Sequence, residues 1–181
     1  SLLDNDSEYV RAWAIQLLCE DKAPSPKILE KLASLAASDS SPFVRLYLAS
    51  ALQRLQPEQR WQIAKALATH SEDTDDHNLP MMLWYGIEPL VNTDQQQFVQ
   101  LIETAEIPMI RRHIARRIAS LPPSTTMDSG LISLLSILEH SSDGQARVDT
   151  LTGINEGLSG RPRVAMPKTW PPVYQKLSSS S

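Results

Sequence analysis

With 181 residues, 41% of them hydrophobic, the chain is long enough to bury a core, and its composition argues against disorder. A net charge of −4 and a pI near 5.5 argue against a sequence-independent grip on nucleic acid, which needs a field that attracts phosphate. Cys19 is the sole cysteine, so there is no intrachain disulfide framework, no Cys-x-x-Cys metal or redox motif and no Cys-x-x-Cys-His haem attachment site.

No apolar run approaches the ~18 residues of a membrane span, so no membrane insertion by this segment is expected. The opening Ser1-Leu-Leu-Asp-Asn-Asp6 has neither the basic nor the apolar part of a signal peptide. The chain is expected to be soluble and to begin in the loop before the second helix of a pair.

Two early segments align with each other. Asp4 to Leu18 and Asp39 to Leu52 share a Val-Arg pair, Val10-Arg11 and Val44-Arg45, at an offset of 34 residues. Each opens with acidic and hydroxyl residues able to cap a helix, and Pro42 sits where a first-turn proline does no harm. Each then runs apolar on one face, through Val10, Ala14, Leu17, Leu18 and through Val44, Leu48, Ala51, Leu52. A period of this size with one helix per half predicts stacked helix pairs. Cys19, beside Leu17 and Leu18, reads as a small buried thiol.

Between these helices, Ser25-Pro26 starts a first-layer partner through Ile28, Leu29, Leu32, Leu35 and Ala36. Pro57-Glu58 starts the next, with Trp61, Ile63, Ala64, Leu67 and Ala68. The acidic stretch Glu72 to Asp76 that follows reads as a solvated turn, since it lacks the spacing and glycine of a calcium loop.

Asn78 to Val91 breaks the pattern. Leu83, Ile87, Leu90 and Val91 keep helical spacing, but Gly86 and Pro89 lie inside, and the missing proline N–H predicts a kink beside Trp84 and Tyr85. Thr93-Asp-Gln-Gln96 carries the side chains of a capping box ahead of Phe98, Leu101 and Ile102. Ile107 to Ala119 forms the next second-layer helix, and Leu121-Pro122-Pro123 ends it. Met127 to His140 and Asp143 to Leu158 make the last pair, the latter weakened by Gly153 and Gly157 at about 1 kcal/mol each relative to alanine.

Taking Val10, Val44, Leu83, Ile110 and Val148 as equivalent gives offsets of 34, 39, 27 and 38, a divergent repeat. From Gly160 the character changes: prolines are dense between Arg161 and Tyr174, which predicts an extended strap anchored by Trp170 and Tyr174. Lys176 to Ser181 should fray. The expected architecture is all-α: an α-solenoid of about five helix pairs over residues 1–160, then an extended strap and tail over 161–181.

The Asp-x-x-x-x-x-Val-Arg pattern at Asp4 to Arg11, with Asp39 to Arg45 and the alanine-rich second helices, resembles HEAT repeats of the phycobilisome-lyase-like kind. The resemblance implies that the aspartate caps a helix and the arginine pairs with a neighbouring aspartate. Carried over, Asp4 or Asp6 with Arg11, and Asp39 with Arg45, would form that ladder; the third unit has Trp84 where arginine is expected. Asn78-Leu-Pro-Met-Met-Leu-Trp-Tyr-Gly-Ile-Glu-Pro-Leu90 and Arg163-Val-Ala-Met-Pro-Lys-Thr-Trp170 resemble the HEAT-repeat region of very large membrane-bound dehydrogenases of planctomycete-type bacteria. There a propeller-like domain precedes the repeats and a haem-binding Cys-x-x-Cys-His domain follows. None of that family's catalytic or haem-ligating residues is present, so the resemblance implies a spacer or docking segment, extracytoplasmic in its parent.

No Ser-His-Asp set or glycine-rich phosphate loop assembles, and no His-x-x-x-His or Glu-x-x-His pair occurs, so no cofactor is called for. Arg111, Arg112, Arg116, Arg117 and His113 form the densest basic cluster, wrapped round a helix. The leading expectation is a non-catalytic scaffold for protein, with its working surface on the inner helices: Tyr9, Trp13, Tyr47, Trp84, Tyr85, Arg111 and Arg112. One alternative is a HEAT-like enzyme such as a DNA glycosylase or bilin lyase, with Trp84, Tyr85, Arg112 and Glu88 in a concave cleft. Another is a haem- or quinone-contacting surface using Met81, Met82 and His77.

Overall fold

A computed structural model describes residues 1–122, 125–161 and 164–179. Every regular element among them is helical. Ten α-helices follow in order: α1 (Glu8–Leu18), α2 (Pro26–Ser38), α3 (Pro42–Leu52), α4 (Pro57–Ala68), α5 (Leu79–Ile87), α6 (Gln95–Thr104), α7 (Pro108–Ala119), α8 (Thr125–His140), α9 (Gly144–Leu158) and α10 (Trp170–Ser179). The fold class is all-α, an α-solenoid built from consecutive helix pairs. Two compact units divide the chain: Ser1–Thr93 with Thr104–Ile107, and Asp94–Glu103 with Pro108–Ser181.

In the first unit α1 packs on α3 and α3 on α5, while α2 packs on α4, so second-layer helices stack on one side and first-layer helices on the other. Local chemistry sets the helix starts. Pro42, Pro57 and Pro80 stand in first turns, where a missing N–H costs nothing. The Ser41 Oγ accepts the Val44 N–H, Gln56 and Gln59 form a reciprocal capping box, and the Asp76 carboxylate accepts the Asn78 and Leu79 N–H groups at 2.8 Å each. At the far end of α4, the Glu106 N–H reaches the Ala68 carbonyl at 2.8 Å and draws segment 104–107 into this unit.

The break at Pro89 is where the sequence places it. The α-helix stops at Ile87, and Glu88–Asn92 continues as a 3-10 helix, because Pro89 has no N–H to give the Tyr85 carbonyl. Gly86 serves a close approach: a Cβ there would lie 2.6 Å from the Leu52 Cβ. Its carbonyl accepts Nη1 of the buried Arg60 at 3.1 Å, and Arg60 Nε bonds the Leu55 carbonyl at 3.0 Å. Arg60 thus caps the end of α5, where the helix dipole favours a cation. Burial lowers its pKa from the usual guanidinium value, with the Glu58 charge opposing.

Burial corrects the repeat register. The buried positions of α3, at Val44, Arg45, Leu48, Ala51 and Leu52, coincide with Leu79, Pro80, Leu83, Gly86 and Ile87 of α5. Leu79, not Leu83, is therefore the counterpart of Val44, and the place of the ladder arginine is taken by Pro80, not Trp84.

In the second unit α9 lies hard against α7. A Cβ on Gly153 would fall onto the Arg112 carbonyl oxygen, and one on Gly157 would lie 2.5 Å from that of Arg116, so these glycines admit the opposing backbone. The Asp94 carboxylate accepts the Gln97 N–H at 2.9 Å and caps α6, in place of the Thr93 capping box expected. The region beyond Gly160 is only partly extended: a helix runs over Trp170–Ser179, and Lys176 to Ser179 is inside it rather than frayed. Pro171 and Pro172 occupy its first turn, where prolines are compatible with a helix, so proline density alone misled. Val173 packs with Leu135 and Leu138, flanked by Leu151, Ile154, Trp170 and Leu177, and the Trp170 and Tyr174 rings meet at a centroid distance of 5.8 Å, tilted by 44°. Pro123, Pro162, Arg163, Ser180 and Ser181, also part of the sequence reading, lie outside the described residues.

Candidate functional site

Two kinds of polar or aromatic feature converge on the second-layer helices of the first unit: an internal arginine–aspartate ladder and an open aromatic face. The ladder is staggered by one unit from the pairing expected. Arg11 bonds Asp39 in two places, Nε to Oδ2 at 2.7 Å and Nη2 to Oδ1 at 2.8 Å, while its Nη1 reaches the Asn5 and Asp6 carbonyls at 2.8 and 3.0 Å. Arg45 repeats the arrangement with Asp73, at 2.6 and 2.5 Å, and gives Nη1 to the Asp39 carbonyl at 2.8 Å. Each arginine thus holds its own loop by a main-chain oxygen and the next loop by a carboxylate. The fork geometry of guanidinium on carboxylate makes these strong, directional bonds.

Asp4 instead pairs with Lys31, and Asp6 contributes a carbonyl rather than its carboxylate. Asp73, in the stretch read as a solvated turn, is 2% exposed, as is Arg45. It was legible as the residue 34 places after Asp39, but the Leu83 register hid it. Burial raises the Asp39 carboxyl, and the Arg11 hydrogen bonds, the Ser41 amide and the Arg11 charge outweigh it and hold the group below the usual carboxylate range. The hydrogen bonds that Arg45 donates to Asp73 raise its pKa above the ordinary guanidinium value.

In the second unit Arg111 makes an analogous bond to Asp149, Nε to Oδ2 at 2.7 Å, across 38 residues. Its side chain is 4% exposed, so Arg111 is a buried ladder residue and not part of an open surface. Asp149 was missed because it follows Val148 where Val10 and Val44 are followed by arginine; the acceptor occupies the donor's position. Arg112 is exposed and paired with Glu156. Burial lowers the His113 pKa, and its Nδ1 lies 2.8 Å from the Met109 carbonyl.

The open face lies on α1, α3 and α5. Tyr9 meets Phe43 at a centroid distance of 5.2 Å, and Phe43 meets Tyr47 at 4.9 Å, both tilted. Tyr9 and Trp13, one turn apart on α1, are 60% and 55% exposed, and Tyr85 on α5 is 52% exposed. Beside Tyr47 opens a cleft of about 310 Å³, lined by Gln16, Ser50, Arg54, Asn78 and Met82 over Leu46 and Ala51. Arg54 bonds Glu20 at 2.8 Å on its rim. Of the expected surface residues, Tyr9, Trp13, Tyr47 and Tyr85 belong to this unit, Trp84 there is half-buried, and Arg111 and Arg112 belong to the other. Phe43 links Tyr9 to Tyr47 and was not singled out: it lies one residue before Val44, outside the apolar stripe of α3.

Among the described residues no group of three or more His, Cys, Asp or Glu side chains is placed to hold a metal, and no helix is long and apolar enough to cross a membrane. Cys19 is buried, and desolvation raises its thiol pKa against the opposing Arg54 charge.

An arginine–aspartate ladder between stacked helix pairs defines a helical-repeat protein. Residues 1–77 match the family model for HEAT repeats. No curated protein and no solved structure matches the chain.

Proposed function

We propose that the chain is a non-catalytic helical-repeat scaffold that docks protein through the α1/α3/α5 face of its first unit. HEAT repeats are commonly protein-interaction scaffolds and generally non-catalytic, and the match of residues 1–77 to the model for such repeats supports the reading. One observation carries the reading here: Tyr9, Trp13 and Tyr85 stand open on helices whose opposite sides are locked by the ladder and by the Gly86–Leu52 contact. Large aromatics on a rigid support lose little conformational freedom on binding, and they are the residue types that anchor protein interfaces. The neighbouring cleft would receive a side chain from the partner.

The finer reading is that the partner is a neighbouring domain of a larger redox protein, extracytoplasmic in location, in which this segment spaces a dehydrogenase domain from a haem-binding one. It rests on the likeness of residues 78–90 and 163–170 to the repeat region of such proteins. Arg112, exposed in the second unit, is a secondary contact in this scheme.

A photo-crosslinking amino acid placed at Tyr85, and separately at exposed Glu30 on α2, tests the face directly. Crosslinks to protein from position 85, lost on Trp13→Ala and absent from position 30, are the expected result. Equal crosslinking from both positions would sink the assignment.

A further inference from the structure

We infer that the occupant of the α1/α3/α5 face is an extended, basic, proline-rich peptide segment, a reading that rests on that face being the docking surface. Three observations converge on this ligand chemistry. The first is the row of tilted rings, Tyr9, Phe43 and Tyr47, with Trp13 one turn along α1 from Tyr9. Inclined rings leave slots between them, and pyrrolidine rings fill such slots in aromatic-lined grooves.

The second is hydrogen bonding. Among the described residues none bonds the Tyr9, Tyr47 or Tyr85 hydroxyl or the Trp13 indole N–H, and those four side chains offer donors at the surface. A polyproline helix has no internal hydrogen bonds, so its carbonyls are free to accept, and its prolines bring no competing N–H. A bound α-helix would present a satisfied backbone and leave these donors unused.

The third is charge. The first unit carries 14 acidic against 8 basic side chains, whereas the second carries 7 against 9. Asp6 and Glu8 stand at the start of α1, with Asp75 and Asp76 just ahead of α5. The cations on these helices and just past the end of α3 are committed: Arg11 to Asp39, Arg45 to Asp73 and Arg54 to Glu20. What remains at the rim is a negative field, which steers a cationic ligand and selects against an acidic one.

The probes are a fluorescein-labelled twelve-residue peptide of repeating Pro-Pro-Arg, its Pro-Pro-Glu counterpart, and an amphipathic helical peptide of the same positive charge. Binding is read by anisotropy at low and moderate salt against the full chain and the Trp13→Ala and Tyr9→Ser variants, each checked for unchanged circular dichroism. The Pro-Pro-Arg peptide should bind, weaken with salt, and lose about tenfold or more in affinity in either variant. The Pro-Pro-Glu peptide should not bind. Equal binding of the two proline-rich peptides, or Pro-Pro-Arg binding unchanged in both variants, overturns the inference. If the helical peptide alone binds and Trp13→Ala abolishes it, the ligand class is wrong but the docking face stands. If no peptide binds, the inference fails, and the crosslinking outcome decides separately whether the face docks protein at all.

Discussion

Asp73→Ala is the substitution whose cost the ladder lets one work out. Asp73 and Arg45 are both 2% exposed and share two bonds of 2.6 and 2.5 Å. Removing one partner of a buried pair strands the other charge, at a cost of about 3–5 kcal/mol. Arg45 would keep the Asp39 carbonyl at 2.8 Å and the exposed Glu72 carboxylate at 3.5 Å, which places the loss near the lower end, about 3 kcal/mol. In the double variant Arg45→Met with Asp73→Ala no buried charge is left without a partner, Asp39 keeping Arg11, and the principal residual penalty is the Asp39 carbonyl without its donor, about 1–2 kcal/mol. The double variant should therefore be more stable than Asp73→Ala alone. Urea unfolding followed by circular dichroism, with slopes compared across variants, measures all of these. Single and double losses that simply add, or an Asp73→Ala loss under about 1 kcal/mol, would refute the claim that this pair clamps adjacent repeats.

Two further outcomes follow from the same geometry. The folded Asp39 carboxyl sits below its unfolded value, so its contribution is present above the unfolded pKa and is lost as pH falls through the folded one. Stability should drop more steeply below about pH 4 in the native chain than in Asp39→Asn, a difference that urea midpoints across an acid series would reveal. Gly153→Ala should lower the melting temperature although alanine is the better helix former, because the new methyl meets the Arg112 carbonyl. Forcing α7 and α9 apart costs about 1–3 kcal/mol against a propensity gain of about 1. Gly144→Ala, with nothing within 4 Å of the added carbon, is the matched control and should not destabilise.

The repeat was readable because Val-Arg recurs with helix-capping residues ahead of it and an apolar stripe behind, a pattern that backbone geometry imposes. The register of α5 was harder. Its sequence offers apolar residues at Leu79, Leu83, Ile87, Leu90 and Val91, and a one-turn slip leaves the same face apolar. Only burial distinguishes Leu79 from Leu83 as the start, and with that slip went Asp73, whose partner is set by tertiary stacking rather than local spacing. Arg111 and Arg112 are adjacent and chemically identical, yet one is sealed against Asp149 and the other faces solvent. Helix phase against α9 decides that, and α9 takes its depth from Gly153 and Gly157, which looked like weak points in isolation. The segment from Trp170 shows the converse error: its prolines fall in a helix's first turn, the position where their chemistry is harmless.

The stagger of the ladder bears on how such a chain can change length. Arg11 reaches Asp39 and Arg45 reaches Asp73 across the same 28 residues, and Asp39 and Asp73 are themselves 34 apart. Excising residues 39–72 would bring Asp73 to the position Asp39 holds now, facing Arg11 with the same reach and the same fork. Donor and acceptor lie on opposite sides of both of these seams, so the two match each other. Units of one period can be lost or duplicated here without orphaning a buried charge, which makes the clamp between repeats also the feature that lets their number drift.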